Sequence, residues 1–218
     1  MKVKNIIFDL GVVVLNIDYK GPAKVLERMG NHNFEEYYSK AQQNSLFDDF
    51  EKGLISPDDF RLSFKEHMGL PLNNDIIDSI WNSIILDFPQ QRIDLLIALK
   101  KNYQTFLLSN TNKIHCDFYT NQLNKDNGLD WKDLFHKTFF SHEMGLRKPD
   151  PEIYMKALNG AQIKAEESLF IDDLLINIEA AKTCGLQTIW LQEGMELKDI
   201  FEKDVNTEAV KIKAELLL

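Results

Sequence analysis

The sequence predicts an α/β fold, a doubly wound parallel sheet with an inserted all-helical unit. Three observations predict it. Short apolar runs recur at Asn5–Phe8, Thr105–Leu108, Thr138–Phe140, Ser168–Ile171 and Thr188–Leu191. They are continuous rather than alternating, as strands buried on both faces are. Helical patterns separate the later runs, which is the rhythm of a parallel sheet wound on both sides. Between the first run and the second, residues 18–89 show no convincing strand.

In chain order, the first strand runs straight into Asp9. Pro22 then opens a helix that Gly30 ends. Ser56-Pro57-Asp58-Asp59 offers an N-cap serine, a proline at the first helical position and an acid three residues after the cap. Gly69 closes that helix, and Leu70-Pro71 follows. Asp75–Leu86 carries Ile76, Ile77, Ile80, Trp81, Ile84 and Ile85 as a helical stripe. Residues 18–89 are therefore expected to form a helical cap domain, with residues 1–17 and 90–218 as the core. In the core, Ile93–Lys101, Pro151–Ala161 and Ile176–Cys184 read as helices. Ile153, Tyr154, Ala157, Leu158 and Ala161 share one face of the second, and Gly185 stops the third. Glu202–Leu218 is expected to be a helix whose apolar close, Leu216-Leu217-Leu218, packs on the core or a partner.

The 25 basic and 34 acidic residues among 218 give a net charge of -9, which does not invite nucleic acid or an anionic membrane. Cys116 and Cys184 are too few for a disulfide framework and lack metal-type spacing. Met-Lys-Val-Lys leads directly into the first strand without the apolar region of a signal peptide. No run approaches the ~18–20 apolar residues of a membrane span. A cytoplasmic protein is expected. Oligomeric state is not written in the sequence.

Four strand ends and loops carry polar chemistry. Ligands of open α/β sheets bind beyond the carboxyl ends of the strands, where Asp9 would sit. Ser109-Asn110-Thr111 ends the second strand in groups that can hydrogen-bond phosphate oxygens, or cap the next helix. Arg147 and Lys148 place two cations just before a helix, as a phosphate beside carboxylates requires. Asp172-Asp173 sets two adjacent carboxylates at the end of a buried strand, and hard cations such as Mg²⁺ resolve that repulsion through oxygen ligands. Each motif alone has a plain reading as a cap or a solvated charge. Together they deliver a nucleophile, hydrogen-bond donors, a cation and a metal site to one face of one sheet.

These motifs resemble, in order and across nearly the whole chain, those of the haloacid dehalogenase superfamily with its Rossmann-like core. The matching segments are Phe8-Asp9-Leu10-Gly11-Val12-Val13, Leu108-Ser109-Asn110-Thr111-Asn112, Ser141 through Tyr154, and Phe170-Ile171-Asp172-Asp173 with Asn177 after it. The insertion resembles the helical cap of one class. The details are most similar to bacterial sugar-phosphate phosphatases of the α-D-glucose-1-phosphate phosphatase type.

The resemblance implies a Mg²⁺-dependent phosphatase of a small phosphorylated metabolite, such as a sugar phosphate, acting through an aspartyl-phosphate on Asp9. Ser109 and Lys148 would hold phosphoryl oxygens, with Asn110 as a secondary contact. Mg²⁺ would bind Asp9, the Gly11 carbonyl and the acidic pair, Asp173 directly and Asp172 directly or through water.

In the broad family a second aspartate two residues after the nucleophile serves as general acid and base. Gly11 stands there, and glycine donates no proton. Leaving groups that need little protonation are then expected to react fastest, unless Asp18 or a cap residue supplies the acid. Val12 is expected to narrow the entrance. Asp18, Phe47, Lys52 and Trp81 are the candidate leaving-group contacts. The competing readings are a metal-independent dehalogenase, against which the acidic pair argues, and a ligand- or partner-binding protein without turnover, which Gly11 allows.

Overall fold

The computed structural model describes residues 3–32, 34, 45–203 and 210–213. Its centre is a five-stranded parallel sheet. The strands are β1 (Asn5–Phe8), β2 (Gln104–Ser109), β3 (Lys137–Phe140), β4 (Ser168–Asp172) and β5 (Gln187–Trp190), in the order β3-β2-β1-β4-β5. Side chains alternate across a strand. Accordingly Ile6, Phe8, Leu107, Leu169 and Ile171 join one buried cluster, whereas Ile7, Phe106, Leu108 and Phe170 join another. The first face is covered by α5 (Gln90–Leu99), α6 (Lys113–Asn127) and α7 (Trp131–Leu134). The second is covered by α9 (Pro151–Ala161) and α10 (Leu175–Thr183), the short α8 (Ser141–Met144) following β3. Both faces are buried, which is why the strands read as unbroken apolar runs.

The register positions the chemistry. Phe8 pairs with Leu107 on one side and Ile171 on the other. One step further, the Asp9 N–H donates to the Ile171 carbonyl at 2.9 Å. Asp9, the end of β2 and the Asp172-Asp173 pair therefore emerge side by side at the carboxyl edge.

Residues between β1 and α5 form α1 (Gly21–Arg28), α2 (Leu46–Glu51), α3 (Pro57–Met68) and α4 (Asn74–Asn82). Leu26, Phe34, Phe50, Phe60, Phe64, Ile77, Ile80 and Trp81 gather there in a separate cluster that Ile114 of α6 joins. The α3 start is as expected: Ser56 Oγ accepts from the Asp59 N–H, the Asp59 side chain returns a bond to the cap, and Gly69 closes the helix at φ 63°. The helix expected to reach Leu86 stops at Asn82. Beyond it the chain pairs with the outgoing strand instead, through Asp18 N–H to the Ile84 carbonyl (2.7 Å) and Leu86 N–H to the Asn16 carbonyl (3.0 Å). Ile17 and Ile85 face each other in an antiparallel bridge within this two-way crossing.

The helix expected over Glu202–Leu218 is corrected where the residues are described. Phe201–Lys203 (β6) and Val210–Ile212 (β7) form an antiparallel pair. Val210-Lys211-Ile212 alternates inward and outward, and Phe201, Val210 and Ile212 close the first core cluster. Leu216-Leu217-Leu218 lies outside the described residues. Among those residues no helix is long and apolar enough to cross a membrane.

Candidate active site

Lys148 ties the carboxyl edge together. Its side chain is buried, and Nζ donates to Asp9 Oδ1 at 2.6 Å and to Asp172 Oδ2 at 2.7 Å. It also lies 5.4 Å from the centre of the Phe170 ring. Burial works against the ammonium, but the Asp172 and Asp9 carboxylates outweigh it and hold the lysine charged. The loop carrying Lys148 is fixed by Asn110, whose side chain accepts the Lys148 N–H (2.8 Å) and donates to the Lys148 carbonyl (2.9 Å). Asn110, expected as a secondary phosphate contact, lines the cavity and also braces the Lys148 backbone.

Asp172 is saturated as an acceptor. Oδ1 takes the Leu174 N–H (2.8 Å) and an Asn177 amide hydrogen (3.0 Å), while Oδ2 takes Lys148 and Asn177 (3.1 Å). Asp173 is less buried, and its backbone carbonyl accepts from Trp190 Nε1 at 2.9 Å. Burial and the neighbouring Asp172 charge push the Asp173 carboxyl up to about 6. Asp9 is pushed up to about 7, chiefly by burial and further by Asp172, against the pull of Lys148. Asp9, Asp172 and Asp173 each offer an oxygen within 4.8 Å of the others. Three crowded carboxylates are the donor set a hard divalent cation relieves.

Gly11 follows Asp9 into a tight turn. Its carbonyl accepts the Val13 N–H at 2.6 Å and keeps a second lone pair. Val12 carries the turn at φ 63°, a strained setting for a β-branched residue. Val12 N–H bonds to the Leu15 carbonyl, and the buried Arg92 donates to the Val12 carbonyl at 2.7 Å. Val12 does not line the cavity above Asp9, so the expected narrowing of the entrance by this residue is not found. Arg92 itself was missed because no local motif marks a residue that reaches back 80 positions to brace a turn.

A cavity of about 530 Å³ opens over this edge. The core contributes Asp9, Gly11, Ser109, Asn110, Lys148 and Asp173 to it, and the helical insertion contributes Phe47, Phe50, Glu51 and Trp81. Phe47 stacks on Trp81 at 5.3 Å, and Trp81 stacks on His115 of α6 at 5.1 Å. Of the four leaving-group candidates, Phe47 and Trp81 reach the cavity; Asp18 and Lys52 do not. Asp18 bonds instead to Lys24, at 2.6 Å. The sequence reading missed Glu51. It belongs to α2, and its Oε2 accepts from Arg147 Nε at 2.8 Å across 96 residues of chain. Arg147, the neighbour of Lys148, also pairs with Asp48 at 2.8 Å.

Comparison with known proteins agrees with this geometry. The pattern of the haloacid dehalogenase-like hydrolases matches residues 78–185. D-ribitol-5-phosphate phosphatase of Bacteroides thetaiotaomicron is 27% identical over 194 residues, covering 89% of this chain and 94% of that protein. A sesquiterpene phosphatase of Aspergillus oryzae is 31% identical over 161 residues, covering 72% and 80%. Among solved structures, a HAD family enzyme of Bacteroides thetaiotaomicron in complex with magnesium and inorganic phosphate superimposes with a TM-score of 0.85. It is 35% identical, covering 92% of this chain and 100% of the other.

Proposed function

The chain belongs to the haloacid dehalogenase-like hydrolases, and we propose that within this family it is a Mg²⁺-dependent phosphatase of small phosphorylated metabolites, with Asp9 as nucleophile. The observation that carries this reading is the carboxyl-edge cluster: Asp9 beside Asp172 and Asp173, with Lys148 bonded to the first two. The named relatives that act on D-ribitol 5-phosphate and on a sesquiterpene phosphate support the reaction class. Magnesium bound in the similar solved enzyme supports the cofactor.

In this reading Asp9 attacks phosphorus, the leaving alcohol departs, and water hydrolyses the aspartyl-phosphate. Lys148 and Ser109 hold phosphoryl oxygens. Asp9, Asp173 and the Gly11 carbonyl would hold Mg²⁺, with Asp172 completing the acidic set. Asp172, whose oxygens are already engaged, orients Lys148. When bound, Mg²⁺ neutralises charge on the carboxylates and on the phosphoryl group. Residues 18–89 act as a cap that supplies the leaving-group side of the cavity.

A panel of phosphate monoesters assayed with Mg²⁺ and with EDTA tests this. Turnover with Mg²⁺ that EDTA abolishes is expected, and excess Ca²⁺ should inhibit because it prefers more and longer oxygen contacts. Full phosphatase activity in EDTA would overturn the Mg²⁺ requirement, and no turnover of any phosphate monoester would favour the dehalogenase or the binding reading.

A further inference from the structure

We propose that Glu51 is the proton donor and acceptor for the leaving group in this chain, reaching from the helical insertion into the cavity that Gly11 also lines without supplying an acid. The inference rests on the phosphatase reading above and adds one residue to it.

The argument is by chemistry and elimination within one cavity. Asp9 is the nucleophile and Asp173 faces the cation. The Lys148 amine is shared between two carboxylates, and the Arg147 guanidinium does not give up a proton. His115 has both nitrogens engaged. Nε2 meets the Trp81 carbonyl at 3.1 Å and must carry the hydrogen, while Nδ1 accepts from the Asn112 amide at 3.0 Å. Tyr119 gives its hydroxyl hydrogen to Thr111. Tyr19 and Lys20 are exposed to solvent and lack the shielding that a positioned acid needs. Among the described residues lining the cavity, Glu51 is the titratable side chain that remains.

Its geometry suits the role. Oε2 accepts from Arg147 Nε, so in this proposal the proton moves through Oε1. Burial raises the Glu51 carboxyl, Arg147 opposes the rise, Asp48 adds to it and Lys148 lowers it. A carboxyl with raised proton affinity beside a fixed cation can release its proton and have the resulting charge stabilised.

The steps balance. As the Asp9 carboxylate forms its bond to phosphorus, the bond to the leaving oxygen breaks. The Glu51 proton passes to that oxygen, giving the free alcohol and a Glu51 carboxylate. Water then attacks the aspartyl-phosphate, Glu51 takes its proton, and Asp9 and phosphate are released.

The test is kcat/KM across a series of monoesters running from 2,4-dinitrophenyl to simple alkyl phosphates, with Mg²⁺, for wild type and Glu51→Gln. Glutamine keeps the acceptor for Arg147, so the contact across the cavity survives. A loss of ~10²–10⁴-fold on alkyl phosphates is expected, with little loss on dinitrophenyl phosphate. The alkaline fall of kcat/KM should also disappear, and Glu51→Asp should recover part of the alkyl activity. A uniform loss across all leaving groups, or no loss, overturns the assignment while leaving the phosphatase reading intact. A wild type inert toward the whole series overturns both.

Discussion

Asp9, Lys148 and Asp172 form one electrostatic unit, so substitutions within it should act on chemistry before they act on the fold. Lys148 balances the two carboxylates it touches, and Asp173 adds a third negative group at the same edge. Asp9→Asn keeps the size of the side chain and still offers an acceptor to Lys148. The amide is a poor nucleophile and a poor cation ligand. Phosphatase kcat should therefore fall below detection, with an unchanged circular dichroism spectrum. A folded Asp9→Asn protein that turns over at wild-type rates would sink the mechanism. His115 makes a different prediction, about stability. Burial pushes its imidazole down to about 4 from 6.5. Between those values the unfolded chain binds the proton and the folded one does not, so stability is full above about pH 6.5 and is lost as pH falls toward 4. The loss is on the order of 3 kcal/mol. Urea unfolding of wild type and His115→Gln at pH 7 and pH 4.5 should show a smaller pH effect in the variant. Equal pH effects would mean His115 is not the sensitive group.

At the scale of elements, the insertion meets the core where α2 and its following turn press on the short helix Ser141–Met144 after β3. Gly53 adopts φ +69°, and a Cβ there would lie 2.2 Å from the His142 carbonyl oxygen. Gly53→Ala must therefore move α2, and with it Glu51, away from Arg147. Gly69, at φ +63°, has nothing within 4 Å of such a Cβ. Its alanine variant bears only the cost of the left-handed backbone, about 1–2 kcal/mol. Thermal unfolding and kcat/KM measured on both should separate the effects: both lose stability, but only Gly53→Ala loses activity as well. Equal activities would place the contact outside the catalytic geometry. The same elements show how far sequence reasoning reaches. The Ser56 capping box, Gly69 and the strand ends at Asp9, Ser109 and Asp172 were legible because each is specified by residues a few positions apart. The stop of α4 at Asn82 was not, because backbone groups of Asn16 and Asp18 compete for the chain at Ile84 and Leu86. Nor was the pair of strands at Phe201 and Val210, which the core face, not local propensity, selects. Glu51 escaped for a related reason: its partner, Arg147, lies in the other half of the molecule.

For the whole molecule, the cavity draws its walls from both sides of the Asn16–Asp18 crossing, so a ligand there should couple the hydrophobic cluster of the insertion to those of the sheet. Two clusters cover the two faces of the sheet, and the third is built on Phe50, Phe60, Phe64 and Trp81, with Ile114 reaching into it from α6. Mg²⁺ with inorganic phosphate would engage Asp9, Ser109, Lys148 and Asp173. Whatever binds the folded state alone stabilises it by about 2.7 kcal/mol at a hundred times Kd. For a chain of this size that corresponds to a rise in Tm of roughly 5–10 °C. If closure of the insertion is part of the bound state, two probes should move together. Far-UV circular dichroism follows the helices and the sheet as a whole, and a fluorophore on an exposed residue of α3, such as Leu62→Cys, follows the insertion. The expected result is one midpoint for both probes, higher with Mg²⁺ and phosphate, and unchanged from the ligand-free value when EDTA is added. A fluorophore midpoint that stays fixed while the ellipticity midpoint rises would show that the insertion melts independently and does not seal the bound site. In that case its residues could not supply a proton at the moment of reaction, and the assignment of Glu51 would fall with the closure.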